Sequence, residues 1–219
     1  MEKNNKTRLK DSAKILGIEL SDIQIKQFSY YCDNVLYWNK PVGITAYKEE
    51  KDIVDYMFLD SLAGYNLKDQ LTSGTVVDVG TGGGFPAIPL KITIPDMDIS
   101  LLDSSQKKCD FLDNIIRILK FQNCKTINRS TSSLKDKKFD IAISRAFKNF
   151  DELIKNIFPI LNENGFILAW KGPSWKEELK KAEKIMKKFN ASIIDSYEYS
   201  IPNTDVTSRF IVKIGKSEV

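Results

Sequence analysis

TVVDVGTGGGFPAIPL, residues 75–90, joins a short apolar run carrying one acid to four glycines within five positions. Val76, Val77 and Val79 are β-branched and follow the Thr72-Ser73-Gly74 turn signal, which predicts a buried parallel strand. Gly80, Gly82, Gly83 and Gly84 then let the backbone turn sharply and approach a ligand closely. Pro86 suits the first turn of a following helix. Strand, glycine turn and helix start together predict a nucleotide-type pocket. A dinucleotide fingerprint would need glycine where Phe85 stands.

Outward from this stretch, the chain alternates strands and helices. Strands are predicted at Asp98 to Asp103, Cys124 to Asn128, Phe139 to Ser144 and Gly165 to Trp170. Helices are predicted from near Pro86, at Gln106 to Lys120, at Asp151 to Leu161 and at Lys176 to Phe189. Two strands without a helix between them, about Ala191 to Tyr199 and Arg209 to Ile214, close the chain. That order predicts an α/β fold: an open mixed seven-stranded sheet with helices on both faces and one antiparallel edge strand.

Upstream, residues 1–20 read as a polar leader with a short helix, Asp11 to Leu16, ended by Gly17. Residues 21–70 read as an N-terminal helical cap, and 71–219 as the ligand-binding domain. Ser21 caps a helix to about Tyr37, with Ile25, Phe28, Cys32 and Val35 in one stripe. Pro41 disfavours helical geometry at Lys40 and is expected to end it. A second helix, Glu50 to Leu62, places Ile53, Val54, Met57, Phe58 and Leu62 on one side.

At 219 residues and 42% hydrophobic content, the chain can bury one substantial core. No apolar run approaches the ~20 residues that span a bilayer, and the first ten residues have no apolar stretch behind them, so a cytoplasmic protein is expected. Cys32, Cys109 and Cys124 lack metal-site spacing and there is no histidine, which argues against a zinc site or a disulfide framework. The net charge of +4 is unevenly placed. Ser105 to Lys148 carries +7 and Lys171 to Asn190 carries +4, whereas residues 1–74 carry −1. Those basic segments flank the predicted pocket and would attract a polyanion such as RNA.

Asp103 lies 23 residues after Gly80, a spacing at which an acid accepts hydrogen bonds from both ribose hydroxyls of an adenosine. A helix N-cap is the other use for Asp103, with Ser104 or Ser105 able to cap in its place. Arg129 to Ser133 falls at the end of the third strand, where backbone and hydroxyl groups can bind an adenine edge.

Asp78 to Gly84 resembles motif I of the class I methyltransferases that bind S-adenosylmethionine. The residues after the fourth strand, Ser144-Arg145-Ala146-Phe147, differ from the (Asn/Asp/Ser)-Pro-Pro-aromatic motif common in exocyclic-amine methylation. Carbon-5 methylation needs a cysteine nucleophile in that loop, and none is there. N7 of guanine carries an in-plane lone pair and no proton to remove, so positioning alone would suffice there, while Asp78 or Asp60 as a base is the alternative that keeps other acceptor atoms open.

Trp38-Asn39-Lys40, Leu59-Asp60-Ser61, Asp78 to Leu90, Leu101 to Ser104, Ile143 to Phe147 and Lys171-Gly172, in this order, resemble the small-subunit ribosomal RNA methyltransferase G family, also called glucose-inhibited division protein B. The likeness spans roughly residues 20 to 215. It implies a class I, Rossmann-like fold, S-adenosylmethionine as cofactor, no metal, and 16S rRNA or a small-subunit assembly intermediate as partner. It also implies methyl transfer to N7 of a guanosine in the 530 loop of bacterial 16S rRNA.

By that resemblance the cofactor-binding residues are Asp78, Gly80, Gly82, Gly84, Phe85, Asp103, Ser104, Ser130, Thr131 and Arg145. Gly80 and Phe85 would line the methionine side, Asp103 would hold the ribose, and Ser130 and Thr131 would meet the adenine. Arg145 would also be catalytic, orienting RNA phosphate or the guanine acceptor edge. Three departures stand out. Met57 replaces a histidine usual in the family, Gly43-Ile44-Thr45 replaces Asn-Leu-Thr, and Thr131 replaces an acid at the adenine position. The last implies adenine selection through backbone contacts. Competing readings are a methyltransferase acting on a small molecule or protein, a catalytically silent RNA-binding assembly factor, and an NAD-dependent enzyme.

Overall fold

The computed structural model describes residues 1–134, 136–145, 147 and 149–217. Helix α1 spans Lys3–Ile15, eight residues earlier than its predicted start, because Leu9, Ser12 and Ala13 bury one side of it. The polar leader is the solvent face of that helix. In α2, Asp22–Val42, Ser21 Oγ accepts from Gln24 N–H at 3.2 Å and Gln24 Oε1 accepts from Ser21 N–H at 2.9 Å, a reciprocal cap. The helix outlasts its predicted end at Tyr37. Pro41 sits in the last turn, and the helix stops at Gly43, which donates to Asn39 O at 3.0 Å.

Residues 50–71 form one helical run rather than the single α-helix expected to end at Leu62. It comprises α3 (Glu50–Ile53), a π-helical segment Val54–Leu59, α4 (Asp60–Leu62), a 3-10 turn Ala63–Leu67 and α5 (Lys68–Leu71). The π segment widens the helix where Tyr56, Met57 and Asp60 converge on Arg145, the kind of place where such bulges recur.

Strand β1 is Thr75–Val79, followed by α6 (Ala87–Thr93), β2 (Asp98–Asp103), α7 (Gln106–Leu119), β3 (Cys124–Asn128) and β4 (Phe139–Ser144). Helix α8, Phe150–Ile157, ends four residues before its expected limit. Pro159 occupies the 3-10 turn Phe158–Ile160 and cannot donate to a continuing α-helix. Leu161 therefore already belongs to β5, Leu161–Lys171. The predicted helix Lys176 to Phe189 is divided at Ala182 into α9 (Trp175–Lys181) and α10 (Glu183–Lys188). Trp175 and Ala182 are buried, and Leu179, Met186 and Phe189 pack beside them as expected. Strands β6 (Ala191–Tyr199) and β7 (Arg209–Lys216) complete the sheet.

The strand order is β3-β2-β1-β4-β5-β7-β6, one mixed seven-stranded sheet as expected. β1 to β5 run parallel. The antiparallel strand is not at the edge, as expected, but inside: β7 pairs antiparallel with β5 on one side and β6 on the other. Burial explains the exchange. β7 buries Ile211, Val212 and Ile214, whereas β6 carries exposed Asp195, Ser196 and Glu198 and suits an edge.

Alternate residues of each strand feed two cores. Val76, Leu101, Ile141, Ile143, Leu168 and Ile211 face a core shared with α1, α2, residues 50–71, α6 and α7. Val77, Leu102, Ala142, Ile167, Val212 and Ile214 face the other, beneath α8 to α10. The N-terminal helices thus pack directly on the sheet face that adjoins the glycine loop. Ile44 reaches that loop, its Cγ2 filling the place where a Cβ on Gly83 would lie.

Candidate functional site

Parallel strands deliver their C-terminal ends to one rim, and a crevice opens where the connections from β1 and β4 leave in opposite directions. A cavity of about 240 Å³ lies there, lined by Val79, Gly80, Leu102, Asp103, Ser104, Arg129, Ser130, Thr131 and Phe147. Five of the predicted residues, Gly80, Asp103, Ser104, Ser130 and Thr131, meet in it. Gly82 joins them through its N–H, which donates to Asp103 Oδ2 at 3.0 Å. Ala146 of the Ser-Arg-Ala-Phe motif lies outside the described residues.

Asp103 ties the two halves of the rim together. Its Oδ1 accepts from Ser105 N–H at 2.9 Å, while Oδ2 holds the glycine loop. Ser105, not Asp103, occupies the N-cap position of α7. Each carboxylate oxygen keeps lone-pair capacity for a further donor, which suits a ribose diol. Gly82, at φ +59°, offers the cavity a bare backbone: a Cβ there would meet nothing closer than Gly80 O at 4.0 Å.

Gly84, at φ +93°, faces the opposite way. A Cβ on it would lie 2.5 Å from Ile88 Cγ1 and 3.0 Å from both Leu112 Cδ2 and Tyr31 Oη. Tyr31 Oη donates to Gly83 O at 2.5 Å, so α2 clasps the loop from beneath. Gly84→Ala is expected to cost roughly 2–4 kcal/mol from overpacking plus αL strain, against about 1–2 kcal/mol for Gly82→Ala from strain alone. Urea unfolding of the two variants measures the difference; equal losses would mean the Ile88 contact relaxes freely.

Asp78 is wholly buried under the loop. Oδ2 accepts from Thr81 Oγ1 at 2.7 Å and from Ala87 N–H at 3.4 Å, while Oδ1 has no partner among the described residues. Burial pushes its carboxyl up to about 7, against the opposing pull of the Thr81 and Ala87 bonds and the Arg145 charge. Between about pH 4 and 7 the folded protein holds a proton that the unfolded chain has released. The contribution of Asp78 to stability therefore falls as pH rises across that window. Thermal melts of ligand-free protein should show this decline flattened in Asp78→Asn; an unchanged slope would assign the effect to other groups.

Phe85 and Arg145 stand outside the cavity. The Phe85 ring is buried, 5.2 Å from Tyr31 and 6.1 Å from Phe58 between centroids. The Arg145 guanidinium lies 5.5 Å over that ring. Its Nη1 donates to Asp60 Oδ2 at 2.9 Å and Tyr56 O at 3.2 Å, and Nη2 to Met57 Sδ at 3.1 Å. Asp60 Oδ1 accepts from Tyr199 Oη at 2.7 Å, and Asp60 O accepts from Trp170 Nε1 at 3.0 Å. Burial beside Asp60 drives the Tyr199 hydroxyl well above the usual phenol range.

Sequence reasoning named neither Tyr31, Asn156 nor Tyr199 as part of this region. Tyr31 lies three residues after Phe28 and four before Val35, on the buried stripe of α2, and that spacing was its signal. Asn156 and Tyr199 had none. Among the described residues no three metal-binding side chains cluster, and no helix is long and apolar enough to cross a membrane.

The residues present fit an adenosylated cofactor: an acid at the β2 end, an open glycine turn, a buried Asp78 oxygen unpartnered among the described residues, and hydroxyls at the β3 end. Solved structures share the fold at low identity. The ribosomal protein L11 methylase of Lactobacillus delbrueckii subsp. bulgaricus aligns with TM-score 0.55 and 18% identity, covering 73% of this chain and 79% of that one. TYW2 of M. jannaschii, solved with AdoMet, aligns with TM-score 0.52 and 15% identity, over 70% and 76%.

Sequence relatives are closer. The ribosomal RNA small subunit methyltransferase G of Alkaliphilus oremlandii is 35% identical, covering 93% of this chain and 87% of its own length. The protein of the same name in Carboxydothermus hydrogenoformans is 36% identical, over 89% and 85%. The model of the family described as rRNA small subunit methyltransferase G matches residues 24–200, and the chain belongs to that family.

Proposed function

We propose that the protein methylates N7 of a guanosine in the 530 loop of bacterial 16S rRNA, in the cytoplasm, on naked or partly assembled small-subunit RNA. S-adenosylmethionine is the methyl donor, supplying a methyl group on a positively charged sulfur open to in-line displacement. Asp103 would hold the ribose, Ser130 and Thr131 the adenine, and the loop from Gly80 to Gly84 would approach the remainder through its backbone.

Arg145 carries the reading. It is fixed after β4 by Asp60, Tyr56 and Met57, and these three bonds leave guanidinium N–H groups for a substrate. A planar guanidinium matches the N7 and O6 acceptors of guanine or a phosphate. Transfer to N7 requires no proton removal, so Arg145 and the surrounding backbone need only orient the base. The cysteines support excluding carbon-5 chemistry. Burial pushes the Cys32 and Cys124 thiols up to about 12, and the three cysteines lie on α2, α7 and β3, none of them in the connection that follows β4.

The test incubates purified protein with methyl-labelled S-adenosylmethionine and small-subunit RNA from cells lacking the modification, then identifies the labelled nucleoside after digestion. 7-Methylguanosine is the expected product, and label on another nucleoside would overturn the specificity. A second reading, a cofactor-binding RNA factor without transfer, is favoured by Met57: a thioether that cannot ionise occupies the place beside Arg145. RNA retention and cofactor binding with no label would select it.

A further inference from the structure

Thr131 opens a 3-10 turn, Thr131–Ser133, at the rim of the cavity, and α8 packs against that turn. From α8, Asn156 Nδ2 donates to Glu152 O, one helical turn back, at 2.7 Å. A carbonyl can only accept, so this bond fixes the orientation of the Asn156 amide and turns its Oδ1 toward the rim. There Oδ1 meets Thr131 Oγ1 at 3.0 Å. An amide oxygen also only accepts, so the Thr131 hydroxyl must spend its single proton on Asn156. What it has left to present is lone pairs.

We propose that Asn156 is a specificity-positioning residue that makes Thr131 an obligate acceptor, so that the cavity selects a purine bearing an exocyclic amine at carbon 6 over one bearing a carbonyl. The inference rests on the reading that the cofactor adenine lies at the β3 end. Its amine donates a proton to Thr131 Oγ1, whereas the carbonyl of a hypoxanthine ring would set acceptor against acceptor. Discrimination of this kind is strong because the mismatched groups are left unpaired in a partly dry site. A side chain without charge thereby reads the amine, at a position where the family commonly places an acid and where backbone contacts alone were expected.

The experiment measures, by calorimetry, binding of S-adenosylhomocysteine and of its deaminated counterpart S-inosylhomocysteine to the full chain and three variants. The wild type should prefer the adenosine compound by about tenfold or more. Asn156→Ala frees the Thr131 hydroxyl to rotate and donate to the carbonyl, so the preference should shrink several-fold, mainly through tighter binding of the inosine compound. Asn156→Asp keeps an acceptor facing Thr131 and should keep the preference. Thr131→Val removes the hydroxyl and should weaken the adenosine compound while bringing the ratio close to one.

A wild type without preference overturns the proposal. So does an Asn156→Ala ratio equal to wild type while Thr131→Val lowers it, which would leave the adenine at Thr131 but detach Asn156 from its selection. Unchanged S-adenosylhomocysteine affinity in Thr131→Val would instead show that the adenine lies elsewhere, sinking the underlying reading and the proposal with it. Partial loss of folding in Asn156→Ala would weaken both ligands equally and cannot lower the ratio, so a fall in the ratio reports the Thr131 hydroxyl and not stability.

Discussion

Asp103→Ala should weaken S-adenosylhomocysteine binding by about a hundredfold or more while leaving the chain folded. Two charge-assisted hydrogen bonds to the ribose diol contribute roughly 1.5–3 kcal/mol each, and the lower figure doubled already corresponds to two orders of magnitude. A second effect adds to the first. Asp103 is the acceptor for Gly82 N–H and Ser105 N–H, so its removal releases the glycine loop from the head of α7. Asp103→Asn keeps one carbonyl acceptor and loses the charge, and should fall between wild type and alanine. The side chain sits on the rim rather than in either core, so the loss of these two bonds should lower stability by only about 1–3 kcal/mol and leave the chain folded in urea titrations. Calorimetric titration decides the matter: unchanged affinity in Asp103→Ala would remove this residue from the site.

Asp60→Ala is expected to cost about 3–5 kcal/mol of stability and to abolish methyl transfer. The side chain is 4% exposed and joins elements far apart in the chain: Arg145 after β4 and Tyr199 at the end of β6. Truncation leaves the Tyr199 hydroxyl without its acceptor and the Arg145 guanidinium without its counter-charge, and removing one member of a buried pair is far worse than removing both. The Arg145 side chain keeps 20% exposure, which lets water take part of the load and places the expected loss at the lower end. Asp60→Asn offers one acceptor and turns an amide donor toward another donor, so it should recover only part of the stability. Tyr199→Phe deletes a single bond and should cost about 1 kcal/mol. Urea unfolding together with the label-transfer assay measures both effects. A loss below 1 kcal/mol with activity intact would mean that Arg145 holds its place through Tyr56, Met57 and Phe85 alone.

The strands and the glycine loop were legible in the sequence because their signals are local. Val76, Val77 and Val79 alternate between two buried faces within five residues, and the loop after them is nearly free of side chains. Asp98–Asp103 and Cys124–Asn128 were bounded correctly on local signals of another kind: the first is an apolar run closed by an acid, and the second, poorly patterned itself, was placed by the helix before it and the polar turn after it. The misread limits have equally local causes overruled by distant contacts. The N-terminus looks polar, yet Leu9 and Ala13 find a core supplied by residues 50–71. Pro41 looks like a stop, yet the last helical turn accommodates it and Gly43 ends the helix.

By itself, then, the sequence determined the α/β architecture, the family, and the acid and glycines at the ends of β1 and β2, since each rests on short local motifs or on their order along the chain. Only the tertiary structure decided that β7 lies inside the sheet, that Arg145 belongs to Asp60 and Tyr199, and that Asn156 orients Thr131. Those pairings join side chains 25 to 139 positions apart, and no periodicity records them. They exist because burial removes water as a competing partner, so each polar group must find its complement wherever the packed chain has placed one.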